Sequence, residues 1–395
     1  MSVWCGVGPG TPCGNFMRRY WQPALLASEI PDNDGPQVRV RLLGEDLIAF
    51  RATDGSVGLV DAYCPHRRAP LFFGRNEECG IRCAYHGWKF DVNGDCVDMP
   101  SEPAGTPLQG KVKLKAYPTV ERGGVIWTYM GPPELKPEPP NYEWFRAPIT
   151  HRKVSKTFEN CNYLQAMEGG LDTAHSSFAH NNRIGDKRQM RNRDRAPRID
   201  IDRTNYGYWY SSTRTVDSEN NYVRLYHFAM PHFQIRGAFR KLTGELHDVP
   251  RLEGHNWVRS TMKRPMFIIG PYGYDESVPI TPEAWEKLES LAGRGEEHMI
   301  PGTFRLMRNL SNDFLINREV QKTSTLHWHR GRQYARFCIA GRHGPDHRSH
   351  EGVSRHVRPR DHIDAAAAAG EHRRCRARRR AAWPRSAGKR RHQRM

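Results

Sequence analysis

The sequence predicts an α+β protein in which a small all-β domain and a stiff linker precede a larger domain of strands and helices. Three observations support this prediction. Short segments between Val38 and Met130 alternate apolar and polar residues, with glycine-containing turn pairs between them. Residues 131–143 are rich in proline, which fixes the backbone and removes hydrogen-bond donors. Beyond this linker, longer alternating segments precede a helical pattern at Pro282–Ala292.

The chain begins with an N-terminal segment, 1–37, followed by the β domain, 38–130. The N-terminal segment is rich in Gly and Pro, and its amphipathic part, Phe16–Leu26, predicts a helix that packs on the second domain. In the β domain, Asp54-Gly55 and Asn93-Gly94 are typical of hairpin turns, because both residue pairs tolerate a left-handed backbone.

A closing strand and the second domain come next. The alternating residues Val125–Tyr129 predict the last strand of the β domain. The second domain begins near Trp144, and its clearest strand patterns are Tyr206–Arg214 and Val223–Met230.

Two short Cys/His pairs lie in predicted loops of the β domain. Cys64 and His66 form a C-x-H pair, and Cys83 and His86 form a C-x2-H pair sixteen residues further on. A mixed-ligand [2Fe–2S] cluster needs this set, because two thiolates bind one iron and two imidazoles bind the other. A Cys2His2 zinc site has the same ligand types and is the alternative, although such sites usually open with at least two residues between the first pair. The spacing therefore predicts an iron–sulfur cluster.

A second constellation follows the linker. Glu168, Asp172, His175 and His180 have the spacing E-x3-D-x2-H-x4-H, in a segment that predicts a helix with a bend or wide turn at Ser176-Ser177. Two histidines and a carboxylate leave open positions on non-haem Fe(II), where O2 and a substrate can meet. Two ordinary histidines on a polar helix face are the alternative, and the neighbouring metal domain favours the iron site.

These motifs resemble those of the Rieske non-haem iron oxygenases that hydroxylate aromatic rings, especially the phthalate dioxygenase-like oxygenase components. The resemblance rests on C-P-H-R, C-x-Y-H-G-W-x-F and E-x3-D-x2-H-x4-H, and it covers most of residues 5–325. It implies a Rieske [2Fe–2S] domain followed by a helix-grip catalytic domain, 144–325, in which helices accompany an antiparallel sheet.

The resemblance also implies ligands and partners. His175 and His180 would bind a mononuclear iron, and Asp172 would link an iron histidine to His86 of a neighbouring subunit, which implies a homotrimer. Such an oxygenase hydroxylates or O-demethylates an aromatic acid, using O2 and electrons from a separate NAD(P)H-dependent reductase. The sequence has no nicotinamide-binding G-x-G-x-x-G loop of its own. A Rieske electron-transfer protein with a non-functional iron domain is the alternative function.

Three arginines of the second domain are candidates to bind the carboxylate of an aromatic acid. They are Arg195, Arg236 and Arg240. Arginines on solvated strand edges are the alternative interpretation, so the sequence does not identify the substrate.

Composition narrows the class of protein. No apolar run is long enough to span a membrane, and no signal peptide is recognisable. Nine cysteines, two of them cluster ligands, fit a reducing cytoplasm. The formal net charge of +18 is concentrated in residues 326–395, which hold 19 Lys/Arg against 5 Asp/Glu. Nucleic-acid binding by the folded domains is therefore not predicted, and a basic arm that binds nucleic acid is the alternative interpretation of the tail.

The resemblance ends abruptly at Thr325. Residues 326–395 are rich in Arg, His and Ala and lack the N-T-Q-D motif whose aspartate is the third iron ligand in the family. Permitted codons for Leu326–Phe337, read one base later, encode F-T-G-I-E-G-V-N-T-Q-D. We therefore predict that the tail is out of frame and disordered. Residues 259–271 suggest a second, compensated shift, because a base inserted before them allows a family-like peptide.

Overall fold

The computed structural model describes the chain from Gly6 to Thr323 with several gaps. The described ranges are 6–108, 110–142, 145–159, 161–179, 192–238, 251–258, 266–271, 279 and 281–323. The tail, 326–395, and the predicted iron ligand His180 lie outside these ranges. Among the described residues, no helix is both long enough and apolar enough to cross a bilayer.

The part of the chain before the linker is a β structure with one short helix. In chain order its elements are α1 (Pro12–Met17), β1 (Gln22–Leu26), β2 (Val38–Leu42), β3 (Glu45–Arg51), β4 (Val57–Asp61), β5 (Arg75–Glu77), β6 (Gly80–Arg82), β7 (Lys89–Phe90), β8 (Cys96–Asp98), β9 (Thr119–Arg122) and β10 (Val125–Thr128). They pair into antiparallel sheets with the orders β1-β10-β9, β2-β3-β4 and β5-β6-β7-β8.

Both predicted hairpin turns are present. Gly55 lies between β3 and β4 with φ 83°, and Gly94 lies between β7 and β8 with φ 82°. At Gly94 a side chain would also collide with the backbone, because a Cβ there would lie 2.0 Å from the Leu114 carbonyl oxygen. Glycine is required at this turn for both reasons.

The helix predicted at Phe16–Leu26 is wrong in its extent. The chain is helical only over Pro12–Met17 and then continues as strand β1, which pairs with β10. All five residues of β1 are buried. Their apolar character therefore reflects a strand covered on both faces, a pattern that periodicity alone does not distinguish from a helix.

The second domain contains one large sheet. Its elements are β11 (Val154–Glu159), α2 (Tyr163–Leu171), β12 (Arg198–Arg203), β13 (Gly207–Thr215), β14 (Asn221–Ala229), β15 (Phe233–Ala238), β16 (Arg251–Val258), β17 (Met266–Pro271), α3 (Pro282–Ala292) and α4 (Arg318–Thr323). The seven strands are antiparallel in the order β11-β17-β16-β15-β14-β13-β12. The predicted strands near 206–214 and 223–230 and the predicted helix at Pro282–Ala292 are confirmed. Within the suspected out-of-frame segment, residues 266–271 form a strand.

Among the described residues, the N-terminal segment makes three polar contacts with the second domain, and one apolar core includes residues of both. Leu25 of β1, Trp127 of β10 and Phe233 of β15 belong to the same buried cluster. The three polar contacts are Cys13 Sγ to Tyr163 OH at 3.0 Å, Gln22 Oε1 to His232 Nε2 at 3.0 Å, and Glu29 Oε1 to Lys156 Nζ at 2.8 Å.

Candidate metal centres

The two Cys/His pairs lie on two loops that share one hydrogen-bonding pattern. The first loop follows β4 and the second joins β6 to β7. In each loop, the backbone N–H of the cysteine donates to the carbonyl of the residue five positions later. The backbone N–H of the residue four positions later donates to the carbonyl of the cysteine. The bonds are Cys64 to Ala69 at 2.9 Å and Arg68 to Cys64 at 2.9 Å, then Cys83 to Trp88 at 2.8 Å and Gly87 to Cys83 at 3.1 Å.

The fifth residue of each loop takes a left-handed backbone, with φ 57° at Arg68 and 75° at Gly87. A Cβ at Gly87 would lie 2.6 Å from the Pro100 ring, so the second loop requires glycine where the first accepts arginine. Because the two turns match, Cys64 and Cys83 occupy the same position within their respective loops.

The two thiols are adjacent and deeply buried. Cys64 and Cys83 are free cysteines with exposed fractions of 1% and 3%, and their side chains are within hydrogen-bonding reach of each other. Burial raises the pKa of the Cys64 thiol to about 11, and the neighbouring Cys83 adds to this effect. Backbone donors partly oppose the rise in the pKa of Cys64, because the His66 N–H donates to Cys64 Sγ. In the second loop, the Tyr85 N–H donates to Cys83 Sγ at 3.5 Å.

The two imidazoles form a second pair on the outer side of the loops. The rings of His66 and His86 have centroids 4.5 Å apart, and both side chains are half-buried. The buried Trp88 ring stacks on His66 at 4.4 Å with an interplanar angle of 7°, and its Nε1 donates to Ser101 Oγ at 3.0 Å. The Trp88 indole therefore fixes the plane of one imidazole.

The donor set fits a [2Fe–2S] cluster. In the described part of the chain, no three His, Cys, Asp or Glu side chains converge as ligands for a single metal ion. The four loop residues instead form one thiol pair and one imidazole pair, and a cluster with one pair on each iron needs that division. Thiols this deeply buried do not ionise readily in isolation, whereas bound iron stabilises the thiolate.

The predicted second centre begins at helix α2. Asn162 caps the helix by accepting from the Leu164 N–H at 3.0 Å, and Gln165 Oε1 accepts from the Asn162 N–H at 3.2 Å, as in a capping box. The helix ends at Leu171, and Asp172 has extended backbone angles of φ −61° and ψ 124°.

The helix therefore ends earlier than the sequence predicts, and the expected turn at Ser176-Ser177 is part of a longer break in the helix. The helix breaks at Asp172, and Ala174–Ser177 form a separate 3-10 turn. Asp172 itself causes the break, because its Oδ1 accepts from the Ala174 N–H at 2.8 Å and so caps the next turn.

Asp172 and His175 are in contact. His175 Nδ1 donates to Asp172 Oδ2 at 3.1 Å, the contact by which a carboxylate orients a metal-binding imidazole. Burial opposes ionisation of Asp172, but hydrogen bonds from the His175 ring and from backbone N–H groups outweigh it and lower the pKa of the carboxyl. The Asp172 side chain keeps 46% of its surface exposed. One donor for iron and its supporting carboxylate are therefore placed together, while the second predicted donor, His180, lies outside the described residues.

The three predicted substrate arginines are not brought together by the described residues. Arg195 is half-buried beside Asp194, in the segment that precedes β12. Arg236 is on β15, but its side chain lies outside the described part of the chain, as does all of Arg240.

Sequence reasoning missed three polar residues on β13 that contact the segment around Asp172 and His175. Tyr210, Ser212 and Arg214 all hydrogen bond to residues between Leu171 and Ser177. The alternating pattern of β13 could have identified them, because residues two positions apart on a strand share a face. Tyr208 and Tyr210 lie on this face and are buried. A buried arginine at the end of such a series indicates a specific hydrogen-bonding partner.

Comparison with known families assigns both parts of the chain. Residues 20–118 match the Rieske [2Fe-2S] domain, and residues 128–331 match the family described as LigXa C-terminal domain like.

Curated relatives extend this match. The chain is 39% identical to the phthalate 4,5-dioxygenase oxygenase subunit of Pseudomonas putida over 334 residues, which cover 80% of this chain and 73% of the relative. It is 39% identical to the 3-chlorobenzoate-3,4-dioxygenase oxygenase subunit of Comamonas testosteroni over 58% of this chain and 54% of the relative. It is 38% identical to the 5,5'-dehydrodivanillate O-demethylase oxygenase subunit of a Sphingobium strain over 54% of this chain and 51% of the relative. The chain thus spans about half the length of the latter two.

A solved structure confirms the fold class. Dicamba monooxygenase bound to 3,6-dichlorosalicylic acid has a TM-score of 0.64 and 17% identity to this chain, covering 92% of this chain and 99% of the other. The predicted arrangement of an all-β domain and an antiparallel sheet with helices is confirmed by this likeness.

Proposed function

The chain belongs to the Rieske oxygenase family, and on that basis we propose that it is the oxygenase component of a system that hydroxylates or O-demethylates aromatic acids. The observation that carries this proposal is the pair of matching loops, with two thiols inside and two imidazoles outside, together with the Asp172–His175 pair. The relatives named above include dioxygenase and O-demethylase oxygenase subunits.

We assign the cluster to Cys64, His66, Cys83 and His86. When bound, the cluster and the mononuclear iron supply electron transfer and O2 activation. The buried cysteines hold their half of the cluster away from water, while His66 and His86 lie on the half-buried side that an electron donor or acceptor can approach. Backbone N–H groups directed at the sulfur atoms stabilise their negative charge.

We assign the mononuclear iron to His175 and His180. Asp172 holds the proton of His175 on Nδ1, so that the Nε2 lone pair is directed to the metal. The exposed part of the Asp172 carboxylate is also available to His86 of a neighbouring subunit. We therefore propose a homotrimer in which Asp172 connects the cluster of one subunit with the iron of the next.

The proposed electron source is a separate NAD(P)H-dependent reductase, because the sequence contains no nicotinamide-binding loop. The substrate class follows the relatives, as an aromatic acid that reacts with O2. Arg195, Arg236 and Arg240 remain the candidates to bind its carboxylate, since a guanidinium binds a carboxylate through two parallel hydrogen bonds.

We propose a division into an N-terminal segment, a Rieske domain, a linker, a catalytic domain and a tail. Their respective ranges are 1–37, 38–130, 131–143, 144–325 and 326–395. Cytoplasmic location is part of the same proposal and rests on thiols such as Cys13, Cys96 and Cys161, which are not in disulfides.

We also propose that residues 326–395 and 259–271 are out of frame. The family match to the second domain ends at residue 331, close to Thr325. This segment is where the family's third iron ligand is expected, so the chain as it stands should hold iron less tightly than one with the frame restored after Thr325. The DNA sequence tests the proposal directly, because a gene whose other frames encode no N-T-Q-D peptide excludes it.

This missing carboxylate favours one second candidate, a Rieske electron-transfer protein whose second domain binds no iron. Metal and sulfide analysis separates the two functions. An oxygenase contains acid-labile sulfide and one iron beyond the two of the cluster, and it consumes O2 when an aromatic acid and a reductase are supplied.

Two variants and one control separate the contribution of the cluster from that of the additional iron. Cys64→Ser should remove the acid-labile sulfide, whereas Cys79→Ser, at an exposed thiol outside the loops, should not. His175→Ala should keep the cluster and lose the additional iron. Zinc in place of sulfide-linked iron in the parent protein would overturn the cluster assignment, and parent protein with the cluster but no additional iron would favour the electron-transfer protein.

A further inference from the structure

We propose that Tyr210, Ser212 and Arg214 of strand β13 are positioning residues that set the orientation of His175. We call these three residues the β13 anchor. The inference rests on the proposed iron site, and it concerns residues that hold the site rather than residues that bind the metal.

The anchor acts from one face of one strand. Its members are two positions apart, so their side chains project from the same side of β13. Tyr210 OH donates to the Leu171 carbonyl at 3.1 Å, and Ser212 Oγ lies 2.9 Å from Thr173 Oγ1. Alternate positions of the strand thus contact Leu171 and Thr173 in turn.

Arg214 makes the largest number of these contacts. Its Nη2 donates to the Thr173 carbonyl at 2.7 Å and to Ser177 Oγ at 3.4 Å. Its Nε donates to the Asp194 carbonyl at 3.0 Å, and its Nη1 donates to Ser212 Oγ at 3.0 Å. The side chain is fully buried, with an exposed fraction of 0%. A buried guanidinium is costly unless its donors are used, so these hydrogen bonds keep Arg214 in one conformation.

The Leu171 carbonyl lies at the end of a helix. Because α2 stops at Leu171, carbonyl groups at this end have no intrahelical N–H to accept from. The anchor supplies a donor for Leu171, and at Thr173 it adds a second donor to the Ser176 hydroxyl, which donates to the same carbonyl at 2.7 Å. The broken backbone that Asp172 requires is thereby stabilised from outside the helix.

The consequence for the proposed iron site is geometric. Asp172 and His175 lie inside a segment that the anchor holds at Leu171, Thr173 and Ser177, and the Asp172 carboxylate in turn holds the His175 ring. Metal ligands need placement to within about 0.5 Å, and loss of an outer partner typically lowers metal affinity roughly 10–100-fold. A change in the anchor should therefore alter metal binding at His175 without removing the cluster, whose proposed ligands lie on other loops of the chain.

The test compares Arg214→Lys, Arg214→Met and Tyr210→Phe with Arg203→Lys in the full-length protein with its cluster. Arg203 is an exposed arginine on the edge strand of the same sheet and is the matched control. Anaerobic calorimetric titration with Co(II) measures metal affinity, and only binding that is absent from His175→Ala is counted, because the histidine-rich tail can also bind metal. Hydrogen exchange of the peptide 171–177 measures whether the segment is held, with no metal required.

We expect the Arg214 variants to weaken Co(II) binding at this site roughly 10-fold or more, with methionine worse than lysine and with the visible cluster spectrum unchanged. Exchange at 171–177 should accelerate in the same order, and Arg203→Lys should match the parent. If the Arg214 variants do not fold, Tyr210→Phe, which retains the ring, decides by the same two measurements.

The outcomes separate the anchor from the proposed function. The anchor proposal is overturned if the parent binds Co(II) at His175 and the variants have the same metal affinity and the same exchange rate as the parent. Accelerated exchange at 171–177 in variants of a parent that binds no metal at His175 supports the anchor and refutes the iron site.

Discussion

Protonation of one buried histidine should destabilise the protein in mild acid. His232 lies in the turn between β14 and β15, with an exposed fraction of 0%. The Gln22 amide donates to the Met17 carbonyl at 2.8 Å and to the Tyr20 carbonyl at 3.2 Å, so its oxygen is directed at His232. His232 Nε2 donates to this oxygen at 3.0 Å, and its Nδ1 has no hydrogen-bond partner in the described part of the chain.

The sign and size of the effect follow from the pKa of His232. Burial lowers it from 6.5 to about 3, because the charged ring would lose its hydration. The folded state therefore prefers the neutral ring, and this contribution to stability is complete above pH 6.5 and is lost as the pH falls towards 3. Each pH unit within this window changes the free energy of unfolding by about 1.4 kcal/mol. Between pH 7 and pH 5 the loss is about 2 kcal/mol.

Urea denaturation of the parent and of His232→Gln at pH 7 and pH 5 measures this loss. The variant removes the titrating ring, so its free energy of unfolding should fall by about 2 kcal/mol less than that of the parent over the same interval. His227→Gln, at an exposed position on β14, is the control and should behave as the parent does. Equal pH dependence in the parent and in His232→Gln would refute the reasoning.

Three further predictions concern a buried ion pair, a ligand loop and the cluster. Glu29→Gln leaves the buried Lys156 ammonium without its carboxylate, and it should lower the free energy of unfolding by about 3–5 kcal/mol in urea denaturation. Gly87→Ala places a Cβ in a left-handed backbone, 2.6 Å from the Pro100 ring, and should lower the melting temperature and the cluster content together. Cys64→Ser should abolish the visible absorption of the cluster, because the iron loses one of its two thiolates.

Each of these predictions has a matched control. Glu121→Gln removes the carboxylate of a partly exposed ion pair and should cost no more than about 1 kcal/mol. Gly105→Ala has a similar φ of 76° but no atom within 4 Å of the added Cβ, so any larger effect at Gly87 measures the collision. Cys79→Ser should retain the visible absorption. Equal effects of a variant and its control would contradict the corresponding explanation.

The β domain is well predicted from sequence because its signals are local. Turn pairs such as Asn93-Gly94 and the alternating strands depend on neighbouring residues, and the structure confirms them. The spacing of Cys64, His66, Cys83 and His86 predicts a cluster, and these ligand assignments stay predictions. The matching hydrogen bonds of the two loops could not be foreseen, because backbone partners five residues apart leave no mark in the side-chain pattern.

The errors occur where contacts that the apolar pattern does not record decide the structure. The segment Phe16–Leu26 has a helical pattern, but pairing of Gln22–Leu26 with β10 determines its conformation. The break near the second centre lies at Asp172 because a side chain can cap a new turn in competition with helix formation. The hydrogen bonds of Arg214 reach a segment 37 to 41 residues earlier in the chain, which no local pattern records.

The contacts made by Cys13, Gln22 and Glu29 hold the N-terminal segment against the second domain. Strand β1 of this segment also pairs with β10, so the same segment joins the β domain to the large sheet. We therefore expect electron delivery over fixed separations, with a rate that does not depend on the viscosity of the solvent.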